Sequence, residues 1–258
     1  MHLSFMLSHQ SASETAINSE SGSSVADESL LDNPIWNSLR TVHESLAIAQ
    51  DNARRYLPAI GPLAGIPDQS LESYDALRPL AGQGGILVLF LPDPPALPDG
   101  WTLFRGGLLT QMICREPNPN GHGSLPGRVV LRRLGPADVA AMIELATLTE
   151  PGPFRERTIE LGNFYGILEG ERLLGMAGQR MRVPGFVEVS AVCTHPDARG
   201  RGYAGALMRR VMDDIISTGA IPFLHARADN PAVSLYSRLG FTQRRTFQLA
   251  VIKREDEG

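Results

Sequence analysis

The chain is short of cysteine, lysine and aromatic residues, and each shortage narrows what it can be. Two cysteines in 258 residues, Cys114 and Cys193, form neither a disulfide framework nor a paired metal spacing. Such sparse use fits a reducing, cytoplasmic compartment. Lysine occurs once, at Lys253, so the basic residues are arginine almost throughout. No apolar run approaches the roughly 18 residues that a membrane helix needs. The start, Met1 to Leu7, is briefly apolar but has no basic stretch and no small-residue cleavage site close behind, which argues against a signal peptide. A net charge of −4 argues against a nucleic-acid partner.

What is present is globular: 43% hydrophobic and 20% charged residues, enough length for one large domain or two ordinary ones. The charge is unevenly spread. The first 127 residues hold 6 basic against 13 acidic residues, and the remainder hold 18 against 15. A mildly basic back half fits a phosphate-bearing ligand.

Residues 8 to 29 are rich in Ser with almost nothing to bury, and residues 1–29 read as a disordered leader. Asp32-Asn33-Pro34 offers a cap and a first-turn proline. Behind it Ile35, Leu39, Val42, Leu46, Ala49 and Ala53 share one face, which predicts an amphipathic helix of about five turns. The apolar run Ile86 to Leu91 and the stretch Trp101 to Cys114, broken by Gly106-Gly107, predict strands. Residues 30–114 are therefore expected to form a small α/β unit. The polar, Pro- and Gly-rich residues 115–127 are the expected linker.

From residue 128 to 258 the pattern is regular. It predicts strands over Val129 to Leu131, Phe164 to Leu168, Leu173 to Arg182, Phe186 to Thr194, Ile221 to Ala226 and Thr246 to Ile252. Helices are predicted after Asp138, over Tyr203 to Thr218, stopped by Gly219, and over Pro231 to Leu239. The order β-α-β-β-β-α-β-α-β requires a mixed sheet with helices on both faces.

The chemistry concentrates between Phe186 and Phe241. Arg199-Gly200-Arg201-Gly202-Tyr203-Ala204 carries a strand into a helix. Small residues there let backbone N–H groups face one concavity at a helix N-terminus, where unsatisfied donors and the helix dipole favour an anion. Arg199 and Arg201 add positive charge, and the loop reads as a pyrophosphate cradle. Gly200, Gly202 and Gly205 also spell a dinucleotide fingerprint, but His195 to Ala198 intervene after the strand and the unit is not the first of its domain. Downstream, Asn230 and Pro231 open a short helix that Gly240 ends, with Ala232, Leu235, Tyr236 and Leu239 on one stripe, so Tyr236 should point inward. His195 and His225 have no Cys, His or Asp cluster near them in sequence, so no metal is expected.

Together these features resemble the GNAT superfamily of N-acetyltransferases. Arg199, Gly202 and Ala204 match its Arg/Gln-x-x-Gly-x-Gly/Ala pattern. Asn230, Ala232 (one place early), Leu235, Tyr236, Gly240 and Phe241 match its later motif. The texture of Thr194-His195-Pro196 and of Arg199 to Ala204 is similar to the branch that includes glycine N-acyltransferases. The resemblance covers residues 128 to 258. It suggests that the front unit could be a degenerate copy of the same fold, though nothing in residues 1 to 114 matches a motif.

The resemblance implies an acetyl-CoA-dependent transfer of an acetyl group directly to an amine, be it a small molecule, an amino acid or a protein N-terminus. Backbone amides of Gly200, Arg201, Gly202, Tyr203 and Ala204 would hold the pyrophosphate. Val192-Cys193-Thr194 would pair with the pantetheine arm, and one N–H there would stabilise the oxyanion. Glu188 matches the position of a general base, and Tyr236 would protonate the departing thiolate, whose thiol has a pKa near 8.5. Cys193 is a small strand residue in this scheme and not a nucleophile. The partners implied are acetyl-CoA and an amine, with no nucleic acid and no membrane; a homodimer stays open. A non-catalytic acetyl-CoA-binding regulatory module is the competing reading.

Overall fold

In the computed structural model, which describes residues 26–119, 125 and 128–255, the front of the chain is built from short elements. Helix α1 (Pro34–Leu39) is followed by hairpin strands β1 (Ala47–Gln50) and β2 (Ala53–Tyr56), the two-residue β3 (Ala64–Gly65) and helix α2 (Leu71–Ala81). The longer strands β4 (Ile86–Leu91) and β5 (Trp101–Ile113) come next. The back of the chain supplies β6 (Val130–Arg133), α3 (Val139–Thr149), β7 (Phe164–Glu169), β8 (Arg172–Val183), β9 (Phe186–Thr194), α4 (Tyr203–Ile216), β10 (Ile221–Arg227), α5 (Val233–Arg238) and β11 (Thr242–Arg254). The β-α-β-β-β-α-β-α-β order read from residue 128 onward is the order observed.

Strands β1, β2 and β3 make a small sheet of their own. The other eight form one mixed sheet in the order β4-β11-β5-β10-β9-β8-β7-β6. This differs from the expected organisation at one point. Strand β5, from the front half, lies between β10 and β11 of the back half and is antiparallel to both. Residues 115–127 therefore separate two strands of a single sheet, and the front half is not a self-contained copy of the back. Pairing partners far apart in sequence leave no trace in periodicity, which is why the apolar runs were legible as strands but their sheet was not.

Two further expectations need correction. Most of the expected leader lies outside the described residues, but its last part is ordered. Asp27 caps a 3-10 turn at Glu28–Asp32, and Glu28 bonds Arg115 Nη2 at 2.7 Å. The five-turn helix is only α1. Val42, on the predicted stripe, is 48% exposed, and Asp51-Asn52 form the tight turn of the β1–β2 hairpin, Asp51 in the left-handed region at φ 42°. Apolar spacings of three and four in a short segment do not separate a helix from a hairpin.

Burial is organised on the two faces of the large sheet. One face packs against α4 and α5 through Tyr165, Ile167, Val187, Val189, Leu224, Leu207, Val211 and Tyr236. The other is covered in two places. Helix α3 lies over Phe164, Met176 and Cys193, and the segment containing α1 brings Leu31, Ile35, Leu39 and Tyr56 onto Met181, Val183, Phe186, Phe223 and Phe247.

A chain starting at Pro126 would lose the strand between β10 and β11 and uncover Phe186, Phe223 and Phe247. Each side chain of this size contributes roughly 1.5–3 kcal/mol when buried, against a typical total of about 5–15 kcal/mol. We expect that fragment to give no cooperative thermal unfolding transition by circular dichroism; a sharp transition would mean the back half folds without β5.

Candidate active site

The site begins where two parallel strands part. β10 pairs with β9 only at Ile221–Phe186, Pro222–Val187 and Phe223–Glu188. Beyond that point β10 continues against β5 and β9 continues against β8. The edges of residues 189–194 and 224–227 that face each other have no strand partner among the described residues, so a V-shaped gap opens past Glu188. Inside β9 the register to β8 slips between Met176–Cys193 and Gly178–Ser190, and Ala191 stands at φ 52°. This is a β-bulge with a strained alanine, a feature concentrated beside functional sites. It also switches sides: Val187 and Val189 face α4 before the bulge, and Val192 does so after it.

The free edge of β9 runs directly into the glycine loop. His195 Nδ1 accepts from the Asp197 backbone N–H, and a 3-10 turn at Pro196–Ala198 leads to Arg199. Gly200 and Gly202 both lie at φ 77°, and a Cβ on either would point into open space, so the conformation, not crowding, calls for glycine. Gly202 caps α4 without any side-chain hydrogen bond. No protein acceptor among the described residues takes the N–H groups of residues 200 to 204. An exposed ring of donors, an unspent helix N-terminus and room above the glycines fit a phosphate group. Arg199 and Arg201 are exposed beside it, with Arg201 tied to the Asp197 carbonyl at 3.0 Å. Tyr203 is buried, so its share in the cradle is its backbone.

Tyr236 is on α5, across the gap from β9, buried in the cluster that holds Val189, Tyr203 and Ala226. Burial pushes its hydroxyl above the usual tyrosine range, and a hydrogen bond with Asn230 partly opposes this. A phenol kept protonated this way is suited to give a proton, not take one. Asn230 also caps the turn into α5 by accepting from Ala232 N–H at 2.8 Å. Cys193 is buried beneath α3 with its thiol pushed up, chiefly by burial. The hydroxyl Oγ1 of Thr194 is buried with no hydrogen-bond partner among the described residues.

Glu188 does not have the environment of a free general base. It faces away from α4, its side chain is fully buried, and three residues hold it. Arg180 forms a fork, Nε to Oε2 and Nη2 to Oε1, both at 2.7 Å; His225 Nδ1 lies 2.8 Å from Oε1, and Met181 N–H reaches Oε2 at 3.3 Å. Burial alone would raise this carboxyl, but the Arg180 charge and hydrogen bonds, helped by His225, outweigh it and hold the group at about 2. With no lone pair open to solvent, Glu188 cannot reach an incoming ammonium.

The rest of the cluster defines the protonation of His225. Gln111 Oε1 accepts from Arg244 Nη1, and its Nε2 donates to the Leu31 carbonyl at 3.0 Å and lies 3.1 Å from His225 Nε2. The glutamine amide is thus oriented from both ends, His225 Nε2 must accept, and Nδ1–H donates to Glu188. Burial lowers the His225 pKa and keeps it neutral. Arg180, Gln111 and the Ala191 bulge carried no signal in the sequence, because their roles depend on strands brought together from distant positions. Among the described residues no group of three His, Cys, Asp or Glu is placed to hold a metal, and no helix is long and apolar enough to cross a membrane.

Comparison with known proteins decides the family. A protein from Novosphingobium aromaticivorans, assigned as an acetyltransferase of the GNAT family, is 39% identical over 87% of this chain and 98% of its own, with a TM-score of 0.79. The chain belongs to the GNAT family. The family model for FR47-like proteins matches residues 164–249, the stretch from β7 into β11 that contains gap, cradle and Tyr236. A GCN5-related N-acetyltransferase from Kribbella flavida shares the fold at a TM-score of 0.60, with 15% identity over 86% of this chain and 94% of its own. No curated protein matches. GNAT membership brings with it acyl transfer from acetyl-CoA as the general chemistry of the fold.

The buried cluster gives the protein a definite acid response. Glu188 is held at about 2, below the roughly 4.3 of an unfolded chain, so its stabilisation is complete above that value and is lost as pH falls towards 2. His225 is lowered by burial and His43, buried beside Ser38 and Tyr56, is lowered to about 4. Each resists protonation that the unfolded chain accepts below about 6.5. The urea-unfolding free energy should therefore hold steady from pH 8 to 7, decline below about 6.5 and decline again below about 4.3. A rise on acidification would contradict the neutral, buried histidines.

Proposed function

We propose that this protein is an acetyl-CoA-dependent N-acetyltransferase that moves the acetyl group directly to an amine, with cofactor and acceptor entering from opposite faces of the sheet. The observation that carries the reading is the gap between β9 and β10 opening onto the glycine loop of α4. Bound acetyl-CoA supplies the activated acetyl thioester. The amides of Gly200, Arg201, Gly202, Tyr203 and Ala204 hold its pyrophosphate, with Arg199 and Arg201 adding charge. The unpaired edge at Val192, Cys193 and Thr194 accepts an extended arm as a further strand would, satisfying backbone groups that otherwise lack partners. An N–H group at the bulge meets the carbonyl oxygen as it gathers negative charge. On the α4 face Tyr236 gives its proton to the departing sulfur and Asn230 holds the hydroxyl in place. The amine attacks from the other face as its free base; the carbon–nitrogen bond forms, the carbon–sulfur bond breaks, one nitrogen proton leaves to water, and Tyr236 regains its proton from water. Glu188 acts in this scheme as a positioning residue.

The direct test is titration calorimetry with acetyl-CoA followed by a thiol-release assay over a set of amines. Binding without turnover for any amine would mark a cofactor-binding module instead. Gly202→Glu should abolish acetyl-CoA binding, since the carboxylate would stand where the phosphate sits; the left-handed backbone there also resists a side chain, so unfolding is followed in parallel. Equal affinity in variant and parent would move the cradle elsewhere. Tyr236→Phe should lower kcat by about 10²- to 10⁴-fold with little change in the KM for acetyl-CoA. A loss under about threefold, with chemistry limiting, would leave Tyr236 a packing residue.

A further inference from the structure

Arg180 has one arm to spare. Its Nε and Nη2 are spent on Glu188, and Nη1 has no acceptor among the described residues. The side chain is nearly enclosed, but 15% of it meets solvent, while Glu188 beneath it meets none. The position of that opening follows from the two covers of this face. Helix α3 reaches β9 at Cys193, and the segment with α1 covers it at Phe186. Ser190 and Ala191, half-buried, lie between the two covers and belong to the free edge at the gap. The register of β8 slips between Gln179 and Arg182, which sets Arg180 at a bulge opposite Glu188, with its guanidinium carbon 5.7 Å from the centre of the Phe90 ring.

The geometry points to an acceptor that carries a carboxylate close to its amine: we propose that Arg180 Nη1 binds the carboxylate of a free amino acid whose amino group is acetylated at the gap. This rests on the acetyltransferase reading above. A strand rises about 3.3 Å per residue, so Ser190 and Ala191 are roughly 7–10 Å along β9 from Glu188. A guanidinium hydrogen bond of about 2.9 Å plus the two-bond separation of carboxylate and amine carries an α-amino acid from Arg180 towards that stretch of β9. Glu188 does not compete for the substrate's ammonium, because Arg180 balances its charge and Arg180, His225 and Met181 occupy its oxygens. A peptide N-terminus offers no carboxylate at this distance, and its amide would leave Nη1 unmet.

The test compares each standard amino acid with its amide as acceptor, in the full-length protein, with acetyl-CoA affinity measured separately by calorimetry. A site built around one hydrogen-bonded group rejects analogues that lack it, and for a partly open arginine we expect about a 100-fold preference in kcat/KM for the accepted acids over their amides. Arg180→Gln alone would strand the buried Glu188, so the informative variant is Arg180→Gln with Glu188→Gln. It should bring the preference below about threefold through a higher KM for the acids, with its acetyl-CoA affinity measured beside it. Arg180→Lys, which keeps the Glu188 charge met, should raise the KM for acids about tenfold or more relative to that for amides. Amides acetylated as well as acids by the parent, or acetyl-CoA bound with no amino acid accepted, would overturn the proposal. Failure of the parent to bind acetyl-CoA would remove the acetyltransferase reading itself, and this one with it.

Discussion

Parallel strands normally stay together, because each backbone group they give up must find another partner or water. Here β9 and β10 separate after three paired residues, and the forces that part them are visible on both sides. β10 is committed to β5 from Phe223 to Arg227, and β9 is committed to β8 while Ala191 takes a conformation that costs an alanine energy. At the point of the V, Glu188 of β9 and His225 of β10 are joined at 2.8 Å, and Arg180 of β8 closes the fork. The wedge is therefore fixed at its apex and open at its mouth. A ligand able to act as a strand meets backbone groups already pointed at it, and the protein need not reorganise to receive it.

The same divergence makes the two faces of the sheet unequal in chemistry. On the α4 face are a ring of unspent N–H groups and a tyrosine that burial keeps protonated. On the opposite face are a carboxylate whose charge is paired, a neutral histidine and an arginine whose Nη1 has no acceptor among the described residues. The gap joins these environments. A reaction that needs an anion held and a thiolate protonated on one side, and a nucleophile kept uncharged on the other, is served by such a division.

Much of this was legible in the sequence. The glycine loop was readable because its demands are local: positive φ and a helix N-terminus follow from a few adjacent residues. The burial of Tyr236 followed from a single helical stripe. Misreadings arose where the decisive partner is remote. Glu188 in Val187-Glu188-Val189-Ser190 looks like an alternating strand residue, and nothing nearby announces that Arg180, His225 and Met181 will surround it. The helix predicted from Ile35 to Ala53 failed because the Asp51-Asn52 turn and the pairing of β1 with β2 decide the backbone there. The separate front unit failed for the same reason on a larger scale, since β5 pairs along its whole length with β11 at the far end of the chain.

That integration explains why the front half matters to the site without contributing to the cradle. Leu31 supplies the carbonyl that orients Gln111, Gln111 of β5 sets the tautomer of His225, and His225 bonds Glu188. Tyr56 and Ser38 pack close by, with Ser38 Oγ taking the Arg182 N–H at 3.2 Å. A buried ion pair is a weak source of net stability, because desolvation offsets most of the attraction and apolar side chains of similar volume hold a fold as well. The value of the cluster must then lie in something apolar residues cannot supply. It fixes the apex of the wedge by direction, through hydrogen bonds, and it leaves Arg180 Nη1 without an acceptor among the described residues while the guanidinium charge is balanced. The front half sets the shape and polarity of the sheet face opposite α4, and the back half supplies the glycine loop on the α4 face.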